Sequence, residues 1–278
     1  MRTALLAVAL FVLLLGSVVA CGSGTPRTTP EAGAVARAEA TADAGFTTTA
    51  APPSAIVSAA PAVAEERAIG PYELPFGKDR TVYMVAARST KAPARLLANL
   101  HGVCNPPGYA CGYWTEAAAS TGFLVCPSGN SRCGAGGPPT WTESFTQIDA
   151  DLETSIALVD ARYPGAFGRE GSVLTGFSLG ATAAYQIALA HPGRWPYLVL
   201  VEADVSLDKA QLEKAGIRAV ALVAGERSGQ VAGERTTAAR LEKQGFRAKL
   251  WVMKGAGHHY SADIDAIMAE ALAFVLSE

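Results

Sequence analysis

The sequence predicts an α/β domain: a doubly wound, mostly parallel sheet with helices on both faces. Three observations carry that prediction. Short leucine- and valine-rich runs alternate with helical periodicities from about residue 80 to the end, and such alternation packs as a parallel sheet flanked by helices. The stretch Ser172–Ala181, SVLTGFSLGA, reads as strand, sharp turn and helix, with Ser178 between Gly176 and Gly180. The roughly 210 residues from Arg67 to Glu278 contain no second change of composition and no internal repeat, which suits one domain with a sizeable core.

Met1–Ala20 carries one early positive charge, Arg2, an apolar run from Ala4 to Leu15 and then smaller residues, the layout of an export signal. The apolar run is too short to span a bilayer. Val18-Val19-Ala20-Cys21 resembles a bacterial lipobox, which implies lipid on Cys21 and a membrane anchor there; the alternative is a secreted protein cut near the same place. Residues 21–66 are rich in Ala, Thr, Pro, Gly and Ser and lack apolar periodicity, so they read as a disordered tether.

Within the domain, strands are expected at Arg80–Ala87, Arg95–His101 and Phe123–Cys126, with a helix near Tyr113–Thr121 between the last two. A longer helix is expected over Thr146–Tyr163, because Ile148, Leu152, Ile156, Val159 and Tyr163 recur at three and four residues and form one face. After the Ser178 turn come strands Tyr197–Val201, Ala219–Ala224 and Lys249–Met253. Helices Leu207–Ala215, Val231–Gln244 and Ala262–Leu276 separate or follow them, with Gly216 and Gly245 as stops and Ser261 as an N-cap.

Net charge is −2, and no Lys/Arg run lies beside interleaved aromatics, so nucleic acid is not an expected partner. In a doubly wound sheet the ligand lies beyond the carboxyl ends of the strands. Leu100-His101-Gly102-Val103 and Gly255-Ala256-Gly257-His258-His259 both fall there. Together with Gly176-Phe177-Ser178-Leu179-Gly180 they resemble the HG, nucleophile-elbow and histidine-loop segments of the α/β-hydrolase superfamily, in particular extracellular esterases of the polyhydroxybutyrate-depolymerase and feruloyl-esterase kind.

That resemblance implies Ser178 as nucleophile, His258 as base with His259 as the alternative, and an oxyanion hole formed by the backbone N–H groups of Leu179 and Val103. His101 is expected to anchor its loop. The acid departs from the family pattern: hydrolases commonly carry Asp three residues after the Gly closing the penultimate strand, and Gly225-Glu226-Arg227-Ser228 has Ser there. Glu226 is the nearest carboxylate, with Glu202 and Asp204, after the preceding strand, as alternatives.

Besides Cys21 there are Cys104, Cys111, Cys126 and Cys133, an even number in an exported chain, and two disulfides are expected rather than zinc. The pairing 104–111 with 126–133 is favoured because each closes a short loop after a strand; crossed bridging stays open. Tyr109, Tyr113, Trp114 and Trp141 lie near these loops as pocket-wall candidates, with core packing the competing role for the tryptophans.

The expectation is therefore an exported serine hydrolase acting on a small-molecule or polymeric carboxylic ester. No metal or organic cofactor is expected, and contact with the membrane is expected only through the lipid anchor. Peptidase and thioesterase chemistry use the same machinery, and a non-catalytic surface lipoprotein is the alternative from another class.

Overall fold

The computed structural model of the chain describes residues 70–89, 93–142 and 144–277. The export signal, Cys21, the tether and the first residues of the expected domain lie outside them. Eight strands form one sheet: β1 (Tyr72–Phe76), β2 (Arg80–Val85), β3 (Ala94–Leu100), β4 (Phe123–Pro127), β7 (Phe167–Phe177), β8 (Tyr197–Val201), β9 (Ala219–Gly225) and β10 (Arg247–Met253). Their spatial order is β1-β2-β4-β3-β7-β8-β9-β10. β1 and β2 pair antiparallel, as do β2 and β4, and every other neighbouring pair is parallel. A two-residue hairpin, β5 (Ser131–Arg132) with β6 (Pro139–Thr140), stands apart.

Side chains alternate between the two sheet faces, as the two-residue period of a strand requires. Leu96, Ala98 and Leu100 of β3, Leu174 of β7, Leu198 and Leu200 of β8 and Leu222 of β9 point into one core. There they meet α3 (Phe145–Arg162), α4 (Leu179–Ala190), α5 (Lys209–Lys214) and α6 (Val231–Lys243). Leu97, Val173, Val199, Val201 and Val223 point the other way, toward α1 (Pro107–Gly112), α2 (Thr115–Thr121) and α7 (Ile264–Leu276). The central strands are thus apolar on both faces, which is why they read as near-continuous hydrophobic runs. On α3 the buried residues include Ile148, Leu152, Ile156 and Val159, the face expected from their spacing.

The chain leaves β3 for β4 on one side and reaches β7 on the other, so the strand order reverses between β3 and β7. A crevice opens at such a reversal. The segments after β3 and β7 are those carrying Gly102-Val103 and Ser178.

The structure departs from the sequence-based expectation at β1, at the start of α7 and in the disulfides. The strand β1 was not expected; it is an edge strand that contains Pro75, which an edge tolerates because no ladder bond needs its nitrogen. The N-cap of α7 is Asp263, not Ser261, and Ser261 Oγ is buried without a partner among the described residues. The disulfides are Cys104–Cys133 and Cys111–Cys126, with Cα separations of 5.6 and 6.0 Å, not the two short-loop bridges. Their reason is topological. Because β3 and β4 lie side by side and parallel, the loops leaving their carboxyl ends meet across the strand gap, and α1 packs its Cys111 down onto Cys126 of β4. Cys104–Cys133 therefore fastens the loop after β3 to the β5–β6 hairpin region.

Candidate active site

Ser178 follows the last residue of β7 with φ 55° and ψ −119°, a conformation outside the ordinary regions for an L-residue. Its own N–H still donates to Val201 O at 2.8 Å, so the turn begins while the chain is tied to β8. Two glycines make the turn possible, each for its own reason. A Cβ on Gly176 would lie 2.3 Å from the backbone of Gly180, and a Cβ on Gly180 would lie 2.0 Å from Leu100 O at the end of β3. The second contact shows that the turn is pressed against the loop carrying Gly102, not only against itself. The Ser178 side chain makes no capping bond to α4, so the hydroxyl is not spent on the helix.

Its partner is His258, whose Nε2 lies 3.0 Å from Ser178 Oγ. The other ring nitrogen, Nδ1, lies 3.0 Å from Glu202 Oε2. With Nδ1–H donating to that carboxylate, Nε2 is left to accept from the serine hydroxyl. His259 instead turns away: its Nδ1 is 3.0 Å from Tyr260 O and its Nε2 accepts from Gly257 N–H at 3.2 Å.

Glu202 is the carboxylate brought to the histidine. It is 1 % exposed, sits immediately after β8 with φ 58°, and keeps its N–H on Val223 O. Its Oε1 accepts from Gly225 N–H and its Oε2 from Ser228 Oγ as well as facing His258. Ser228, which stands where hydrolases commonly carry Asp, thus donates to Glu202. Glu226 lies elsewhere: it is exposed, and its Oε2 accepts from Gly255 N–H at 2.8 Å. Asp204 packs its carboxylate on the first turn of α6, where a Cβ on Gly233 would clash with it. The preferred placement of the acid at Glu226 is therefore not what the geometry gives; the alternative at Glu202 is.

On the other side of Ser178, Gly102 comes so close that a Cβ there would lie 3.3 Å from Ser178 Cβ and 2.8 Å from the Phe177 ring. Val103 follows, 54 % exposed. Its N–H and that of Leu179, the first residue of α4, have no protein acceptor among the described residues. Leu179 follows Ser178 directly and Val103 follows Gly102, and the start of α4 adds its positive partial charge.

His101 holds this loop in place. It is 1 % exposed, its Nε2 accepts from Gly129 N–H at 2.8 Å, and its Nδ1–H therefore donates to Gly102 O at 2.8 Å. Burial pushes its pKa down to about 4. With both nitrogens engaged it is fixed as a neutral strut and has no lone pair to offer Ser178. Trp141 stacks on it with centroids 4.7 Å apart and donates Nε1–H to His101 O at 2.7 Å.

Sequence reasoning missed the roles of Ser228 and Glu234; Trp141, a candidate for pocket wall or core, is buried against His101. For Ser228 a signal existed, namely a hydroxyl at the position expected for the acid. Glu234 lies in the first turn of α6, 1 % exposed, and its Oε1 accepts from Ala203 N–H at 2.8 Å, the amide after Glu202. Burial, with Glu202 and Asp204 nearby, pushes its pKa up to about 9. No pattern in the sequence marks it.

No family model and no curated protein matches the chain. Solved structures do. The esterase PE8 superimposes with a TM-score of 0.53 at 22% identity, covering 69% of this chain and 97% of its own. The fluorophosphonate-binding serine hydrolase FphF of Staphylococcus aureus gives 0.53 at 14% identity, covering 75% and 100%. A ferulic acid esterase gives 0.52 at 13% identity, covering 70% and 91%. At these identities the likeness speaks for the fold, and the fold this chain shares with all three is that of the α/β-hydrolases.

Proposed function

We propose that the protein is a serine hydrolase that cleaves carboxylic esters through an acyl-enzyme intermediate. The observation that carries the reading is the continuous line from Ser178 Oγ to His258 Nε2, 3.0 Å, and from His258 Nδ1 to Glu202 Oε2, 3.0 Å. In it, His258 takes the hydroxyl proton as Ser178 Oγ bonds to the carbonyl carbon, and Glu202 holds the ring in the tautomer that accepts at Nε2. The carbonyl oxygen gains the negative charge and faces the N–H groups of Leu179 and Val103. His258 then gives its proton to the departing alcohol oxygen as the C–O bond breaks. Water repeats the sequence on the acyl-enzyme, returning the proton to Ser178 and releasing the acid.

Export, with an anchor at Cys21, is part of the same proposal. Two disulfides in the domain support an oxidising compartment, and among the described residues no helix is long and apolar enough to cross a membrane. The esterase titles of the structural neighbours support ester chemistry.

Treating the full chain with a fluorophosphonate probe and mapping the adduct by mass spectrometry tests the proposal. The expected result is one adduct, on Ser178, and none in Ser178→Ala. A folded wild-type protein that takes no label and turns over no ester overturns the proposal and favours a non-catalytic binding role.

A further inference from the structure

Tyr109 and Tyr113 are 63 % and 48 % exposed, and their rings lie 6.1 Å apart. Single exposed apolar residues are ordinary; a contiguous group of them marks a contact surface. Trp114 and Trp141, by contrast, are 0 % and 4 % exposed and belong to the core, so the division between wall and core falls between the tyrosines and the tryptophans. Tyr109 lies in α1 and Tyr113 caps it, four residues on, its N–H donating to Tyr109 O at 3.1 Å, so the two rings share one side of the helix. The helix is itself pinned to β4 by Cys111–Cys126. The rings are therefore held open to solvent by a fixed element, not by a loop free to fold them away.

They also connect to the chemistry. Phe177 lies 5.1 Å from the His258 ring and 4.9 Å from Tyr260, Tyr260 lies 5.2 Å from Tyr113, and Tyr113 lies 6.1 Å from Tyr109. An aromatic row thus runs from the base to the surface of α1. Two cavities of about 850 and 300 Å³ lie elsewhere, and neither has Ser178 or His258 in its lining. The row begins at Phe177, buried against His258, and reaches the surface at Tyr113 and Tyr109.

The direction of the reaction says which part of a substrate meets it. His258 must hand its proton to the leaving oxygen, so the alcohol portion of the ester lies on the His258 side, where the row begins, while the carbonyl oxygen faces Leu179 and Val103. Resting on the hydrolase reading above, we propose that Tyr113 and Tyr109 form a leaving-group subsite, and that the substrate is an ester whose alcohol carries a planar ring. Stacking on such a surface is worth about 0.5–1.5 kcal/mol per pair beyond buried area, or roughly two- to tenfold in kcat/KM.

The test compares benzyl acetate, with the ring on the alcohol, with ethyl phenylacetate, with the ring on the acyl group, and with ethyl acetate as the ringless reference. In wild type, kcat/KM for benzyl acetate should exceed that for ethyl acetate about tenfold, with ethyl phenylacetate showing no such gain. Tyr113→Ala and the Tyr109→Ala, Tyr113→Ala double variant should bring the benzyl-to-ethyl ratio toward one, and Tyr113→Phe should keep it, since the ring face and not the hydroxyl makes the contact. Melting temperatures confirm that the variants fold. A ratio that is the same in wild type and double variant overturns the subsite, and so does a preference for the ring on the acyl side. If wild type cleaves none of the three and takes no phosphonate label, the hydrolase reading itself has failed; label on Ser178 with an unchanged ratio removes the subsite alone.

Discussion

Glu202→Gln should lower kcat by about 10⁴-fold while Glu226→Gln leaves it within a factor of two. The first figure follows from what an amide does beside the histidine: with no second lone-pair oxygen at Oε2 it can present N–H₂ to Nδ1, which then carries no proton, and the proton moves to Nε2, the nitrogen that must accept from Ser178. Oε2 already takes Ser228 Oγ and Oε1 takes Gly225 N–H, so the amide has one orientation that preserves one of these bonds at the expense of the histidine. Glu226, exposed and bonded through Oε2 to Gly255 N–H, touches none of the reacting groups, and a surface carboxylate of this kind changes stability and rate little. Steady-state kinetics on a chromogenic ester, with circular dichroism to show intact folding, reads both. Ser178→Ala in the same assay sets the floor. A damaging Glu226→Gln beside a harmless Glu202→Gln would mean that the loops rearrange when substrate binds and that the acid is the residue nearest the penultimate strand after all.

The contrast between these two glutamates shows what can be read from a chain of this kind. Periodicity is local, and it found the central strands and the longer helices: Leu97 against Leu96 and Ala98, or Val199 against Leu198 and Leu200, announce a strand buried on both faces wherever it sits in the sheet. The turn at Ser178 was legible for a similar reason, since Gly176 and Gly180 are demanded by contacts within a few residues or with one neighbouring strand. The acid was open because its position depends on which of two adjacent strand ends, β8 or β9, faces the histidine loop. Ser228 and Glu202 approach each other across 26 residues of sequence, and neither residue type announces the other. The disulfides misled for the same physical reason. Short loops are the entropically cheap partners in an unfolded chain, but the native pairing is dictated by β4 inserting next to β3 and placing Cys133 and Cys126 against Cys104 and Cys111. What sequence supplies in such cases is a small set of candidates, and strand order chooses among them.

Raising the pH from 5 to 9 should destabilise the wild-type protein relative to Glu234→Gln. Glu234 is buried in the first turn of α6 beside Glu202 and Asp204, and its pKa is raised from 4.5 to about 9. The folded state therefore holds a proton that the unfolded chain gives up near pH 4.5. Stability from this group is complete below that value and is lost progressively as pH climbs toward the folded-state pKa, at a slope of at most about 1.4 kcal/mol per pH unit. Between pH 5 and pH 8 that amounts to a few kcal/mol, on the order of 10 °C in Tm for a domain of this size. Glutamine cannot ionise, yet it keeps an oxygen for the Ala203 N–H that Oε1 now accepts at 2.8 Å, so its own pH dependence lacks this component. The Tm of Glu234→Gln minus that of wild type should thus grow steadily from pH 5 to pH 9, whatever its sign at the acidic end, where the new amide N–H₂ occupies a place in which Oε2 has no partner among the described residues. Parallel Tm curves across that range would show that Glu234 is already ionised in the folded protein, and that Glu202 works beside a second negative charge.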